Sequence, residues 1–415
     1  MSRAAGIASI AALLAASVFA ASRNPEPDAL AQPRPAKQVG LPPQALHAAI
    51  PADEPLTPEK IALGKKLFFE PLLSADGSVS CATCHNPALA FTDGRPVSIG
   101  IHGHAGQRNS PTVLNALFNK AQFWDGRAAT LEEQAALPIT NPSEMGQPTL
   151  DAAVEAIAAI RHYRHEFVSA FGREMNDADL VRAIAAYERT LVSFDSPFDR
   201  FAAGDARAID DAAKRGWELF NTKARCNKCH APSESQRDST YFTDFDYHNI
   251  GIGILAHDVA GAWRTAEREL AAGTLESVDR AAIGSELSVL GRFLVTRKEA
   301  DTAAFKTPGL RNVLVTAPYF HDGSQATLWD VIDHYNKGDG LKDAWLDEDM
   351  QPLALTESEI DDLVAFLASL TSAQYRALGE RELARQRALA QTSRPQRDTA
   401  RAFGPKPPRF KPPAP

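Results

Sequence analysis

Residues 81–85 read CATCH and residues 226–230 read CNKCH, and these two pentapeptides hold all four cysteines of the 415-residue chain. C-x-x-C-H is the attachment signature of a c-type haem. The spacing has a physical cause. Two thiols add to the two vinyl groups of one porphyrin, and the histidine that follows lies beneath the iron as its proximal ligand. Cys81, Cys84 and His85 are therefore one candidate haem site, and Cys226, Cys229 and His230 a second. A thioredoxin-like dithiol or half a zinc site is the rival reading of C-x-x-C, and neither accounts for a histidine directly after both motifs.

Outward from the motifs the chain repeats itself. EKIALGKKLFFEPLL precedes the first and DAAKRGWELFNTKA the second, and both carry Gly-x-x-Leu-Phe (Gly64, Leu67, Phe68; Gly216, Leu219, Phe220). Downstream, 111–131 (PTVLNALFNKAQFWDGRAATL) matches 308–328 (PGLRNVLVTAPYFHDGSQATL) at a constant offset of 197. Asn115 then falls on Asn312, Phe123 on Phe320 and Asp125-Gly126 on Asp322-Gly323. Ungapped self-similarity on this scale predicts duplicated units. The expected fold is mainly α, with two tandem cytochrome c-like haem domains at 49–200 and 201–375. The break between them falls near SFDSPFDRFAAGD, where Pro and Gly interrupt the helical pattern. Residues 151–171 and 177–193 have helical apolar spacing, and Thr356 with Glu359 predicts a capped helix over 356–370. Residues 235–305 read as an insertion rich in turn residues.

Composition narrows the class. A hydrophobic fraction of 44% with 23% charge excludes a wholly disordered chain, and a pI near 5.8 argues against a dedicated nucleic-acid binder. Residues 1–20 read as a secretory signal: Arg3, then AAGIASIAALLAASVFA, with Val18 and Ala20 as small residues before the cut. An uncleaved anchor is the alternative, and no later segment reads as a membrane span. The expected location is the periplasm. Residues 21–48 read as a flexible lead-in and 376–415 as a basic, Pro-rich tail with ten Lys+Arg against three Asp+Glu. Within that tail RALGERELARQRALAQ reads as a short exposed helix, and the stretch after Ser393 as unstructured.

The two halves also differ. Trp124 in the first is replaced by His321 in the second; NPSEMG places Glu144 after the first repeat, and VIDHYNKGDG places His334 and Tyr335 after the second. With these motifs, and with RNSPTVLNALFNKAQFWDGR and FKTPGLRN followed by TAPYFHDG, residues 50–375 resemble the bacterial di-haem cytochrome c peroxidases and their relative MauG, the methylamine-utilisation enzyme. The resemblance implies a peroxide-reactive haem in the N-terminal half and an electron-transfer haem in the C-terminal half. It implies that Trp124 lies between the haems and that Glu144 is the distal acid–base group. It also implies that Asn109, Thr316 and Pro318 hold a calcium ion through hard oxygen donors. Where ordinary peroxidases ligate the second haem by Met, the matching residue is Tyr335, as in MauG-like enzymes; a phenolate stabilises ferric and higher iron. Where reductively activated peroxidases carry a distal histidine, the match is Ile101, with His102 and His104 close by.

The implied mechanism has hydrogen peroxide opposite His85, Glu144 moving its proton and Trp124 relaying charge. The bland alternatives are a surface carboxylate for Glu144, a core aromatic for Trp124, a packed ring for Tyr335 and exposed loop histidines at 102 and 104. The expected partners are a cytochrome c or cupredoxin donor, or, in the MauG-like case, a protein substrate; a homodimer is left open. A di-haem electron carrier without catalysis is the reading from another class, and it leaves Glu144 unexplained.

Overall fold

The computed structural model describes residues 27–41, 43–230, 241–253, 257–275, 277–338 and 345–399. The expected signal at 1–20 and the end of the tail, 400–415, lie outside them. The fold is mainly α. The helices that position the site are α1 (Pro58–Phe68), α2 (Leu131–Thr140), α3 (Asp177–Glu188), α4 (Asp211–Asn221), α5 (Val259–Ala272), α6 (Val278–Gly284), α7 (Leu328–Lys337), α8 (Glu357–Ser369) and α9 (Arg376–Thr399). Among the described residues the one ladder pairs Tyr247–His248 antiparallel with Phe305–Lys306, in the register Tyr247↔Lys306 and His248↔Phe305.

The duplicated Gly-x-x-Leu-Phe now has a cause. α1 starts at a Thr57 cap with Pro58 in its first turn, and buries Leu63, Gly64, Leu67 and Phe68. It crosses α3 so closely that a Cβ on Gly64 would sit 1.8 Å from the Ala183 carbonyl oxygen. In the second half α4 crosses α8 the same way, and a Cβ on Gly216 would lie 1.9 Å from the Asp362 oxygen. Each glycine lets two backbones meet. Each phenylalanine four residues on then fills the apolar cluster beside its own C-x-x-C-H motif, worth about 1.5–3 kcal/mol per buried ring.

The offset-197 repeat is also a repeat of backbone. Asn115 and Asn312 both adopt left-handed φ (65° and 62°), as do Phe123 and Phe320 (67° and 69°). The bridge Gln122↔Ala128 recurs as Tyr319↔Gln325. Thr130 caps α2, and Thr327 caps α7 in the same register. Each asparagine does the same work: its Oδ1 accepts the amide of the segment leaving the long helix, Ser193 for Asn115 and Ser372 for Asn312, both at 2.8 Å. Asparagine tolerates the left-handed region and supplies that bond at once.

Two expectations change. The lead-in is docked over its described part: Ala31, Val39 and Leu41 are buried, Tyr187 donates to the Ala31 carbonyl at 2.8 Å, and Arg34 pairs with Asp195 at 2.8 Å. The stretch read as a short exposed helix, together with residues 394–399 of the end read as unstructured, forms the 24-residue α9. It is not fully exposed, because Ala390 is buried and Gln386 is wholly buried, donating to the Leu314 carbonyl at 3.0 Å and accepting the Leu328 amide at 3.0 Å. Residues 151–171 are helical as their spacing predicts, in two helices, since Ile160 is extended between Leu150–Ala158 and Arg161–Phe171. The segment read as an insertion contains α5 and α6 and builds a third apolar cluster around Leu290, Phe293 and Leu294, joined by Trp345.

Candidate haem and peroxide site

One cavity of about 440 Å³ is lined by both C-x-x-C-H motifs. The Nδ1–H of His85 faces the Phe91 carbonyl at 3.1 Å, and the Nδ1–H of His230 donates to the Phe242 carbonyl at 2.8 Å. A carbonyl can only accept, so the proton sits on Nδ1 and Nε2 keeps its lone pair for a metal. Burial pushes both imidazoles below the ordinary histidine pKa, which keeps them neutral, as a ligand must be.

The thiols fit thioether attachment better than the rival chemistries. No disulfide joins them. Burial pushes Cys84 and Cys226 up to about 12 and raises Cys81 as well, the opposite of a reactive dithiol's thiolate. Among the described residues the one cluster with metal-ligand spacing is Cys229, Asp244 and His248. There His248 is clamped by Asp244 at 3.0 Å and Asp347 at 2.6 Å, and these carboxylates push it up to about 12. Both ring nitrogens of His248 are thus taken by carboxylates. The donor sets on both sides therefore fit two covalent haems.

Glu144 lines the cavity, and its Oε2 is buried with no hydrogen-bond partner among the described residues. Burial and then Asp279 push its carboxyl up to about 7, against the pull of Arg127. Glu144 thus sits in the cavity wall, with one carboxyl oxygen out of contact with solvent. Ile101 is buried, and its amide donates to the Glu144 carbonyl at 2.8 Å. His102 is 63% exposed beside Asp76, and His104 faces the Pro142 carbonyl at 3.4 Å; neither lines the cavity.

Trp124 ties the halves together. Its indole N–H donates to the Asn109 carbonyl at 2.9 Å, and its own carbonyl accepts the Lys306 amide at 2.7 Å. Asn109 in turn donates its amide to the carbonyl of His321, the repeat counterpart of Trp124, at 2.7 Å. His321 stacks on Phe305 with centroids 3.5 Å apart. Asn109, Thr316 and Pro318 line the same cavity. Asn109 spends Nδ2 on the Arg95 carbonyl at 2.8 Å, which leaves Oδ1 as the atom for a cation.

Tyr335 lines the cavity beside Cys226 and Cys229, with its phenol pKa raised by burial. The neighbouring His334 is committed elsewhere, its Nε2 at 2.8 Å from the Ile250 carbonyl. Met350, which does not fall at the ligand position in sequence, is nevertheless buried in the wall of the same cavity.

A buried charge network escaped the sequence reading. Arg108 and Arg127 reach Asp125 at 2.7 and 3.1 Å, and Arg127 also binds Asp279, on α6, at 2.9 Å. Burial alone would raise Asp125; the two guanidinium groups hold it at about 2. Asn141 anchors Asp279 at 2.6 Å. The available signal was again the difference between halves, because Arg108 and Arg127 fall on Phe305 and Ser324 in the repeat. Asp279 carried no signal; it comes from the segment read as an insertion.

The profile of the family described as di-haem cytochrome c peroxidase matches residues 58–207. The methylamine utilization protein MauG of Methylorubrum extorquens is 42% identical over 323 residues, covering 77% of this chain and 80% of that protein. The chain belongs to the di-haem cytochrome c peroxidase family. This peroxidase-family chain is 36% identical to the cytochrome-c peroxidase IdrP1 of a Pseudomonas species over 337 residues, 78% of this chain and 84% of that one. A solved MauG-like protein associated with microbial copper homeostasis superposes with a TM-score of 0.65 at 31% identity, covering 78% of this chain and 92% of that one. The chain is accordingly an oxidoreductase of the peroxidase type, and its family implies two c-type haems. No helix among the described residues is long and apolar enough to cross a membrane.

Proposed function

We propose that this is a periplasmic di-haem enzyme that reduces hydrogen peroxide at a haem held by Cys81, Cys84 and His85. Cys226, Cys229 and His230 would hold a second haem, which would supply electrons to the first. The two irons supply the redox chemistry; the chain supplies binding, proton transfer and the path between them. The observation that carries the reading is the orphaned Oε2 of Glu144, buried in the cavity that His85 lines. A buried carboxyl near pH 7 can take a proton from one peroxide oxygen and return it to the other, so that the O–O bond breaks with water as the leaving group. Overall, one peroxide, two protons and two electrons become two waters.

Ile101, in place of a ligating histidine, leaves this site open without prior reduction. Trp124, hydrogen-bonded to both halves, relays charge between the haems. Calcium at Asn109 Oδ1 and the carbonyls of Thr316 and Pro318 braces the same junction. The domains we assign are 49–200 around the first haem and 201–375 around the second.

Tyr335 as the far ligand of the second haem makes the chemistry MauG-like, with oxidising equivalents spent on a protein substrate. The second reading is an ordinary peroxidase fed by a small redox protein, and the buried thioether of Met350 in the cavity wall favours it. Low-temperature electron paramagnetic resonance of the ferric protein separates the two. On the MauG-like reading one high-spin and one low-spin signal appear, and the low-spin signal changes in Tyr335→Phe but not in Met350→Leu. The reverse pattern makes Met350 the ligand; two low-spin signals would sink the open peroxide site.

A further inference from the structure

Arg127 is the most constrained cation near Glu144 and also the least satisfied. Its side chain is 3% exposed. Its guanidinium lies over the Phe123 ring, 3.5 Å from the centroid. Nε donates to Asp279 at 2.9 Å, and Nη1 donates to Asp125 at 3.1 Å. Nη2 is buried and has no hydrogen-bond partner among the described residues. A buried charged nitrogen left without an acceptor is costly, so an acceptor is to be expected in the functioning site. The cavity that Arg127 lines also holds the orphaned acceptor of Glu144. Arg127 and Glu144, which line the same cavity, thus keep an unused donor and an unused acceptor between them.

We propose that Arg127 is a second catalytic residue on the peroxide side, its free Nη2–H groups holding the oxygen that leaves. This rests on the reading of Glu144 above and adds to it. As the O–O bond breaks, the far oxygen takes the bonding pair and the proton carried by Glu144, and departs as water. Negative charge develops on that oxygen before the proton arrives, and a fixed guanidinium stabilises it there without reorganisation. Arg suits the task better than Lys, because its planar fork can hold two carboxylates and still aim a third nitrogen. The arrangement belongs to the first half only, since the repeat counterpart is Ser324. It depends on the second half, because α6 supplies Asp279.

The test uses the full-length protein with both haems, as wild type, Arg127→Lys, Arg127→Gln and Glu144→Gln. Two quantities are read: the affinity of the ferric high-spin haem for fluoride, which needs a hydrogen-bond donor, and the rate of reaction with hydrogen peroxide. Imidazole affinity, which needs no such donor, is the control. Arg127→Gln should weaken fluoride binding about tenfold or more and slow the peroxide reaction about 10²–10³-fold, with imidazole binding unchanged. Arg127→Lys keeps the charge opposite Asp125 and Asp279, and serves if the Gln variant does not fold; it should also lose fluoride affinity, because its ammonium cannot reach all three partners. Native fluoride affinity and peroxide rate in a folded Lys or Gln variant overturn the proposal. So does an equal loss of fluoride and imidazole binding, which marks a structural role. If Glu144→Gln reacts normally while the Arg127 variants do not, Arg127 stands and the Glu144 reading falls.

Discussion

Replacing Glu144 with Gln removes a carboxyl from a site that resists its ionisation. The group's ordinary pKa of 4.5 is pushed up to about 7, by burial first and by Asp279 second. One tenfold change in an ionisation constant is about 1.4 kcal/mol, so the carboxylate form costs the folded protein about 3 kcal/mol. The sign follows from which state binds the proton more tightly. The folded pKa is the higher one, so below pH 4.5 both states are protonated and the carboxyl costs nothing. Between 4.5 and 7 the unfolded chain ionises while the folded one does not, and stability falls. Above 7 the loss is complete. Glu144→Gln should therefore match the wild type near pH 4 and exceed it by about 3 kcal/mol at pH 8.5, measured by guanidinium unfolding of both proteins. Glu188 is also buried, with its carboxyl pushed up to about 8, and it cancels because both proteins retain it. The catalytic effect runs the other way. The wild-type peroxide rate should rise through about pH 7 as the proton-accepting carboxylate forms, whereas the variant should be slower by about 10²–10⁴-fold and lack that step. A stability difference that does not vary with pH, or a variant with the wild-type pH–rate profile, would refute the reasoning.

Other perturbations read other parts of the molecule. Trp124→Phe keeps a ring but loses the donor to Asn109 and the readily oxidised indole; peroxide should still react at the first haem while re-reduction through the second slows about tenfold or more, seen by stopped-flow spectroscopy. Gly216→Ala places a methyl 1.9 Å from the Asp362 carbonyl and should destabilise the protein by about 1–3 kcal/mol or more, whereas Gly106→Ala, with its nearest contacts at 3.6 and 3.7 Å, should avoid that clash; thermal unfolding separates them. Removing calcium with a chelator should lower peroxidase activity and its return should restore it, with Asn109→Ala insensitive to both; unchanged activity after chelation argues against a calcium-braced junction.

Much of the fold was legible because its signals are local. Two C-x-x-C-H motifs, a helix before each and an ungapped repeat after each are covalent or short-range patterns, and backbone conformation repeats wherever the residues do, as at Asn115 and Asn312. Helix caps were legible for the same reason: Thr356 with Glu359 reads as a capping box and is one. The lead-in and the basic tail were misread because their composition is polar and Pro-rich. What docks them is a few residues matched to distant partners, such as Ala31 to Tyr187 and Gln386 to Leu314 and Leu328. The site divides along the same line. The residues proposed to attach haem and the candidates Trp124, Glu144 and Tyr335 could be named from motifs and from resemblance. Only the tertiary structure decided that one oxygen of Glu144 is buried and free, that Met350 shares the cavity with Tyr335, and that Arg127 is held by an aspartate from the other half. Burial, an unsatisfied atom and a charge from a remote helix are properties of packing, and they have no period or spacing to betray them in one dimension.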